Sequence, residues 1–160
     1  MADINPVKVD IISLNTGLDE HEGDLRHLIR AFYDESQYGG GDLDVDKALA
    51  HFKYFCAPTR CFYGAFDGDE LVGFILGEVS SQLFDGTEVM YEGGYYVKPE
   101  YRDLGVGAKL LAELSEYAAV LGAAKIQLGA TSGIDAEQTY AGLEKAGFQE
   151  VGRVFERNVR

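Results

Sequence analysis

The chain has 160 residues and carries 27 aspartates and glutamates against 14 lysines and arginines, a formal net charge of −13. A surface that binds a phosphate backbone needs clustered cations, so this balance argues against general nucleic-acid binding. A content of 46% hydrophobic and 26% charged residues reads as one soluble domain over residues 1–160, with no apolar run that would span a bilayer.

Met1-Ala-Asp-Ile-Asn lacks the basic and apolar regions of a signal peptide. Cys56 and Cys61 are too few and wrongly spaced for a zinc ribbon or a redox pair. A cytoplasmic, reducing location is therefore expected. The first strand is expected over Val7 to Leu14, where Val7, Val9 and Ile11 alternate with Lys8 and Asp10. Leu25, Leu28, Ile29 and Phe32 then fall on one helical face. Tyr38-Gly39-Gly40-Gly41-Asp42 breaks the chain, and Asp44 stands where it would cap a second helix carrying Val45, Ala48, Leu49, Phe52 and Phe55.

From Arg60 the pattern changes to strands. Cys61 to Phe66 and Leu71 to Val79 flank the hairpin signal Asp67-Gly68-Asp69-Glu70. Asp85-Gly86 marks the next turn, and Thr87 to Val97 the next strand. Gly93-Gly94 inside that strand marks either a bulge or a crossing where a neighbouring helix needs room. A helix from about Leu104 to Leu121, ended by Gly122, leads to a short strand over Lys125 to Ala130. This unit favours parallel pairing of the strands on either side through a right-handed crossover. Asp135 is placed to cap a further helix, with Gln138 as capping-box partner. That helix stops at Ala146-Gly147-Phe148, and a last strand is expected over Gln149 to Val159.

The most informative stretch is Val97 to Ala108, a strand end, a Pro-marked exit, and a Gly-bearing loop that opens into an amphipathic helix. The first N–H groups of such a helix have no internal partner and lie at the positive end of its dipole. With Gly105 and Gly107 keeping side chains away, this is a site for phosphate. Lys98, Arg102 and Lys109 form a local basic group around it in an otherwise acidic chain. The spacing is neither a dinucleotide Gly-x-Gly-x-x-Gly, since Lys109 and Leu110 follow, nor a Walker loop.

Arg102-x-x-Gly105-x-Gly107, preceded by Val97-x-Pro99-x-Tyr101, resembles the acyl-CoA signature of the GNAT N-acetyltransferases. The later Glu144-Lys145-Ala146-Gly147-Phe148 resembles that family's Tyr-Glu-Lys-x-Gly-Phe motif. The resemblance runs from about Glu88 to Phe155 and is weak before Arg60. It implies an α/β fold with a mixed sheet, the GNAT acyl-CoA N-acyltransferase fold, in the order β-α-α-β-β-β-α-β-α-β. It implies acetyl-CoA as co-substrate; no metal is expected, since His21, His27 and His51 do not converge in sequence and form no zinc-protease motif. Tyr95, Tyr96 and Val97 would give backbone hydrogen bonds to the pantetheine arm. Arg102, Asp103, Leu104, Gly105, Val106, Gly107 and Ala108 would hold the phosphates.

Glu92 lies where some family members carry a glutamate base; it is either that base or a solvated strand-edge carboxylate. Glu78, Asp85 and Glu88 would frame an acidic approach for an ammonium substrate, or are plain surface charges. The family's tyrosine before Glu-Lys-x-Gly-Phe, poised to protonate the leaving thiolate, is Leu143 here. Tyr140, one turn earlier, either substitutes as that acid or packs as an ordinary aromatic. The family's asparagine near this helix start is replaced by Asp135 or Ala136.

The expected activity is acetyl transfer to a primary amine, a small cationic one given the acidic chain, or a peptide or protein lysine. The contrasting class is an acyl-CoA-binding module with weak or absent turnover. A transfer-RNA-acetylating toxin shares the fold but conflicts with the net charge of −13. The partner set is a small-molecule amine, with a homodimer left open and neither nucleic acid nor membrane.

Overall fold

The computed structural model describes residues 8–160. The first element is β1 (Val9–Ser13), followed by a 3₁₀ turn (Leu18–His21), α1 (Glu22–Glu35) and α2 (Val45–Tyr54). Val7, expected to open the first strand, lies outside the described residues. Then come β2 (Arg60–Asp67), β3 (Glu70–Ser81), β4 (Glu88–Val97), a 3₁₀ segment (Pro99–Leu104), α3 (Val106–Val120), β5 (Lys125–Gln127) and α4 (Ala136–Lys145). The sheet runs β1-β2-β3-β4-β5, antiparallel throughout except for the β4–β5 pair, which is parallel as the strand–helix–strand unit predicts.

Each helix is built by its apolar stripe. Leu25, Leu28 and Ile29 of α1 and Leu49 and Phe52 of α2 are buried with Phe62, Phe74 and Leu76 on one face of the sheet. Val106, Leu110, Leu111 and Leu114 of α3 cover the other face, against Val72, Ile75 and Met90. Asp44 caps α2 as expected, its carboxylate accepting from Lys47 N at 3.0 Å. Gly122 ends α3 with a left-handed φ of 79°. Among the described residues no helix is long and apolar enough to cross a membrane.

Two expectations are corrected. β5 stops at Gln127 rather than Ala130. The strand expected over Gln149 to Val159 does not form, and residues 149–160 have no regular structure. Val151, Val154, Phe155 and Val159 are 73–90% exposed. Their uneven spacing, with Gly152 among them, never gives the strict alternation that buries one face of a strand.

The Gly93-Gly94 pair does mark a bulge. Leu76 on β3 faces Gly94 while the adjacent Gly77 faces Glu92, so Gly93 is the extra residue. The bulge reverses the parity of β4. Met90 before it and Tyr95 and Val97 after it all pack on the α3 face, while Tyr96 packs on the α1–α2 face.

Candidate active site

The β4–β5 ladder is short. Val89, Met90 and Tyr91 pair with Lys125, Ile126 and Gln127, and beyond that point the strands part. From Glu92 onward the β5-facing edge of β4 has no strand partner. The gap opens a cleft of about 1040 Å³ between β4, the start of α3, the segment after β5, and α4.

At the floor of the cleft α3 begins without help from any side chain. Gly105 sits in the left-handed region at φ 76°, no side chain caps the helix, and its first turn holds no acidic residue. Lys109 N donates to Gly105 O at 3.1 Å. The N–H groups of Val106, Gly107 and Ala108 therefore precede the first intrahelical bond; Val106 is wholly buried, and those of Gly107 and Ala108, which line the cleft, are the donors open to an anion. These donors fit a phosphate group of a coenzyme.

The two loop glycines serve different needs. At Gly105 nothing lies within 4 Å of a would-be Cβ, and the left-handed backbone requires glycine. At Gly107 the need is space, because a Cβ there would stand 2.3 Å from the Tyr95 hydroxyl. Arg102, Asp103, Gly105, Gly107 and Ala108 reach the cleft wall. Val106 is instead buried in the α3 core, and Leu104 is half-exposed away from the cleft.

The basic group expected around the loop is already engaged. Lys98 pairs with Glu70, and Lys109 Nζ donates to Val9 O at 3.1 Å. Arg102 forms a clasp. Its Nε donates to Val97 O at 2.9 Å, its guanidinium meets both oxygens of Glu35 at 2.6 Å, and Nη1 reaches Asp135 at 2.9 Å. The Tyr96 hydroxyl also donates to Glu35, at 2.9 Å. With these cations spent on protein partners, backbone N–H groups are the donors left at this helix start for an anion.

Arg102, as the first cause, holds the Glu35 carboxyl below its usual range. Asp135 stands at the N-cap position of α4, at φ 40°, yet makes no capping bond because its carboxylate goes to Arg102. The expected capping box with Gln138 is absent. Glu35 was not legible as a site-organising residue, since nothing at the end of a helix announces a partner 67 positions away.

Glu92 stands where the strands part. Its Oε2 accepts the Gly129 N–H at 3.2 Å, replacing a ladder bond with a side-chain one. Burial pushes its carboxyl up to about 7, against the lowering effect of that N–H. A carboxyl poised near neutrality can take a proton from an ammonium group at working pH. Tyr95, on the same face, is pushed up to about 12, first by burial and then by the Glu92 charge.

Glu78, Asp85 and Glu88 do not frame this cleft, and Glu78 is paired with Arg60 at 3.0 Å. The carboxylates that do line it are Glu92, Asp103 and Asp135. On α4 the cleft-lining stripe includes Thr139, Gly142 and Leu143. Tyr140 lies beside that stripe, 50% exposed and outside the cleft wall. Opposite, Tyr38 donates to Thr131 O at 3.0 Å, and Gln37 N donates to Ser132 O at 2.7 Å, closing one end of the cleft. Among the described residues no group of histidines, cysteines and carboxylates is arranged to hold a metal.

The comparisons agree with this architecture. No curated protein matches the chain. Among solved structures, an aminoglycoside acetyltransferase from an uncultured soil metagenomic sample superposes with TM-score 0.71 at 21% identity, covering 96% of this chain and 99% of that one. The aminoglycoside acetyltransferase AAC(6')-Iy, in complex with the bisubstrate analog CoA-S-monomethyl-acetylneamine, gives 0.73 at 21% identity over 96% and 99%. A ribosomal-protein-alanine N-acetyltransferase from Brucella melitensis gives 0.70 at 18% over 96% and 100%. At these identities the likeness is one of fold. The model of the acetyltransferase (GNAT) family matches residues 24–148, from α1 through the splayed strands to the end of α4. With a match of that extent over a sheet of this order, the chain belongs to the acetyltransferase (GNAT) family.

Proposed function

We propose that the protein transfers an acetyl group from acetyl-CoA to the primary amine of a small cationic molecule, by direct attack in a ternary complex. The observation that carries this reading is the half-buried Glu92 carboxylate at the fork of β4 and β5, facing a cleft floored by an uncapped helix start. Acetyl-CoA supplies the activated thioester. The N–H groups of Gly107 and Ala108 are the donors for its pyrophosphate, with Arg102, Asp103, Leu104, Gly105 and Val106 shaping the loop. The edge of β4 over Tyr95, Tyr96 and Val97, which has no strand partner on the β5 side, is the backbone nearest its arm, with Val97 O already accepting from Arg102.

Glu92 takes the proton that the amine must lose before it attacks, directly or through one water. Its carboxylate, together with Asp103, gives the cleft the sign that attracts an ammonium group. The fold shared with two aminoglycoside acetyltransferases supports a small polyamine acceptor, and the fold shared with a protein-alanine acetyltransferase supports a protein amine as the variant. Turnover of acetyl-CoA against an amine panel, with Glu92→Gln as control, tests the proposal.

One observation favours a second reading. Leu143 lines the cleft at the position where the family's late motif carries a tyrosine, so no hydroxyl there can protonate a leaving thiolate. In that reading the chain binds acyl-CoA with little turnover. Tight acetyl-CoA binding without acetylation of any amine would favour it, and steady turnover counts against it.

A further inference from the structure

We infer that Phe55 is a positioning residue for the Glu92 carboxylate, a wedge from α2 that holds the β4 bulge in the form that directs Glu92 onto Gly129. The starting point is Gly93, the extra residue of the bulge. Its φ lies outside the left-handed region, so its backbone does not call for glycine. Space does. A Cβ on Gly93 would stand 2.2 Å from Phe55 Cζ and 2.5 Å from Cε1. The ring is pressed onto the one residue about which β4 reverses its parity.

Phe55 is held firmly enough to act in this way. It follows the last turn of α2, is 4% exposed, and makes edge contacts with His51 and Tyr54 at ring separations of 5.4 and 5.3 Å. Glu92 immediately precedes the wedged residue and reaches Gly129 N at 3.2 Å. With the ring withdrawn, Gly93 is free to settle into the space it leaves and the bulge loses its support. The first bond at risk is Glu92 to Gly129, because no ladder pair beyond Tyr91–Gln127 holds the two strands at that level.

Phe55 touches neither reacting group, so its effect passes through Glu92. Its weight in catalysis rests on the proposed role of Glu92 as base, while its structural claim does not. Phe55→Leu keeps an apolar side chain but loses the reach to Gly93. Gly93→Ala in the same chain returns bulk to the contact from the other side.

The test reads the Gly129 amide by ¹⁵N–¹H NMR in the wild type, Glu92→Ala, Phe55→Leu and Phe55→Leu/Gly93→Ala. It also reads the pH dependence of kcat with acetyl-CoA and neamine. In Phe55→Leu the Gly129 resonance is expected to move at least half of the way to its Glu92→Ala position. Alongside this, kcat falls roughly tenfold or more, the acid limb shifts, and KM for acetyl-CoA stays within about twofold. The double variant is expected to recover most of both changes. If Phe55→Leu does not fold, Phe55→Met takes its place in the same comparison.

A folded variant whose Gly129 amide stays at the wild-type position overturns the inference. Absence of an acid limb in the wild type, or its survival in Glu92→Ala, removes the base reading instead. The Gly129 shift still decides whether Phe55 places Glu92.

Discussion

The hydroxyl of Tyr95 occupies the space that a side chain at Gly107 would need, 2.3 Å from the would-be Cβ, whereas the ring carbon Cζ is 3.4 Å away, an ordinary contact. The second glycine of the loop that opens α3 is therefore matched to one particular tyrosine of β4. Gly107→Ala alone gains up to ~1 kcal/mol of helix propensity but forces the Tyr95 ring aside, at a cost of ~1–3 kcal/mol, for a net loss. In a Tyr95→Phe background the close contact is gone and the same substitution is expected to be neutral or stabilising by up to ~1 kcal/mol. Urea unfolding of the four proteins checks this reversal of sign. A Gly107→Ala cost that is the same in both backgrounds would remove the steric account.

Glu92 makes stability depend on pH. Its folded value of about 7 lies above the ordinary 4.5, so folding favours the neutral carboxyl. The contribution is complete below about pH 4.5 and is lost as pH rises through about 7. Glu92→Gln is expected to be near wild type in stability at about pH 4 and more stable by ~2–3 kcal/mol at about pH 8. Thermal unfolding across this range measures it, and a pH-independent difference would show that the carboxyl is not raised.

The Arg102 clasp predicts the opposite trend. The Glu35 carboxyl is lowered chiefly by its bonds to Arg102, so its contribution is present above the ordinary carboxylate value and disappears as pH falls through the lowered one. The groups are partly exposed, with side-chain accessibilities of 19% and 29%, so Arg102→Met is expected to cost only ~1–2 kcal/mol at pH 7. That cost should shrink in acid. Loss of the clasp also frees the start of α4 from the loop before α3, and on the proposed function acetyl-CoA affinity measured by calorimetry should fall several-fold.

Tyr140 and Leu143 are neighbours on α4 with different outlooks. Tyr140→Phe is expected to leave kcat within about twofold, because the hydroxyl lies outside the cleft wall. Leu143→Tyr places a hydroxyl in the cleft and is expected to raise kcat by roughly tenfold if protonation of the leaving thiolate limits turnover. A large loss in Tyr140→Phe would return the acid role to that residue.

What the sequence displayed was local. The Gly loop, the apolar stripe of α3, the Asp44 cap and the hairpin turns all depend on residues within a few positions of one another, and all form as read. The Gly93-Gly94 pair read as either a bulge or a crossing where a neighbouring helix needs room, and the structure has both, yet nothing near it named Phe55 as the group that demands the space. Arg102 read as part of a free basic group because its partners, Glu35 and Asp135, come from two distant helices. Asp135 carried a capping signal, and the stronger attraction of a guanidinium diverted it. The missing last strand has the same origin. Val151, Phe155 and Val159 supply apolar residues, but without a buried face to receive them the pattern does not become a strand.

The most direct test of the central claim is kcat for acetylation of neamine by acetyl-CoA, followed from about pH 5 to about pH 9 in the wild type and Glu92→Gln. A single rise with pH in the wild type, absent in Glu92→Gln at roughly a hundredfold lower rate, is the predicted result. Superimposable profiles in the two proteins, or no acetylation by a wild type that binds acetyl-CoA, would contradict it.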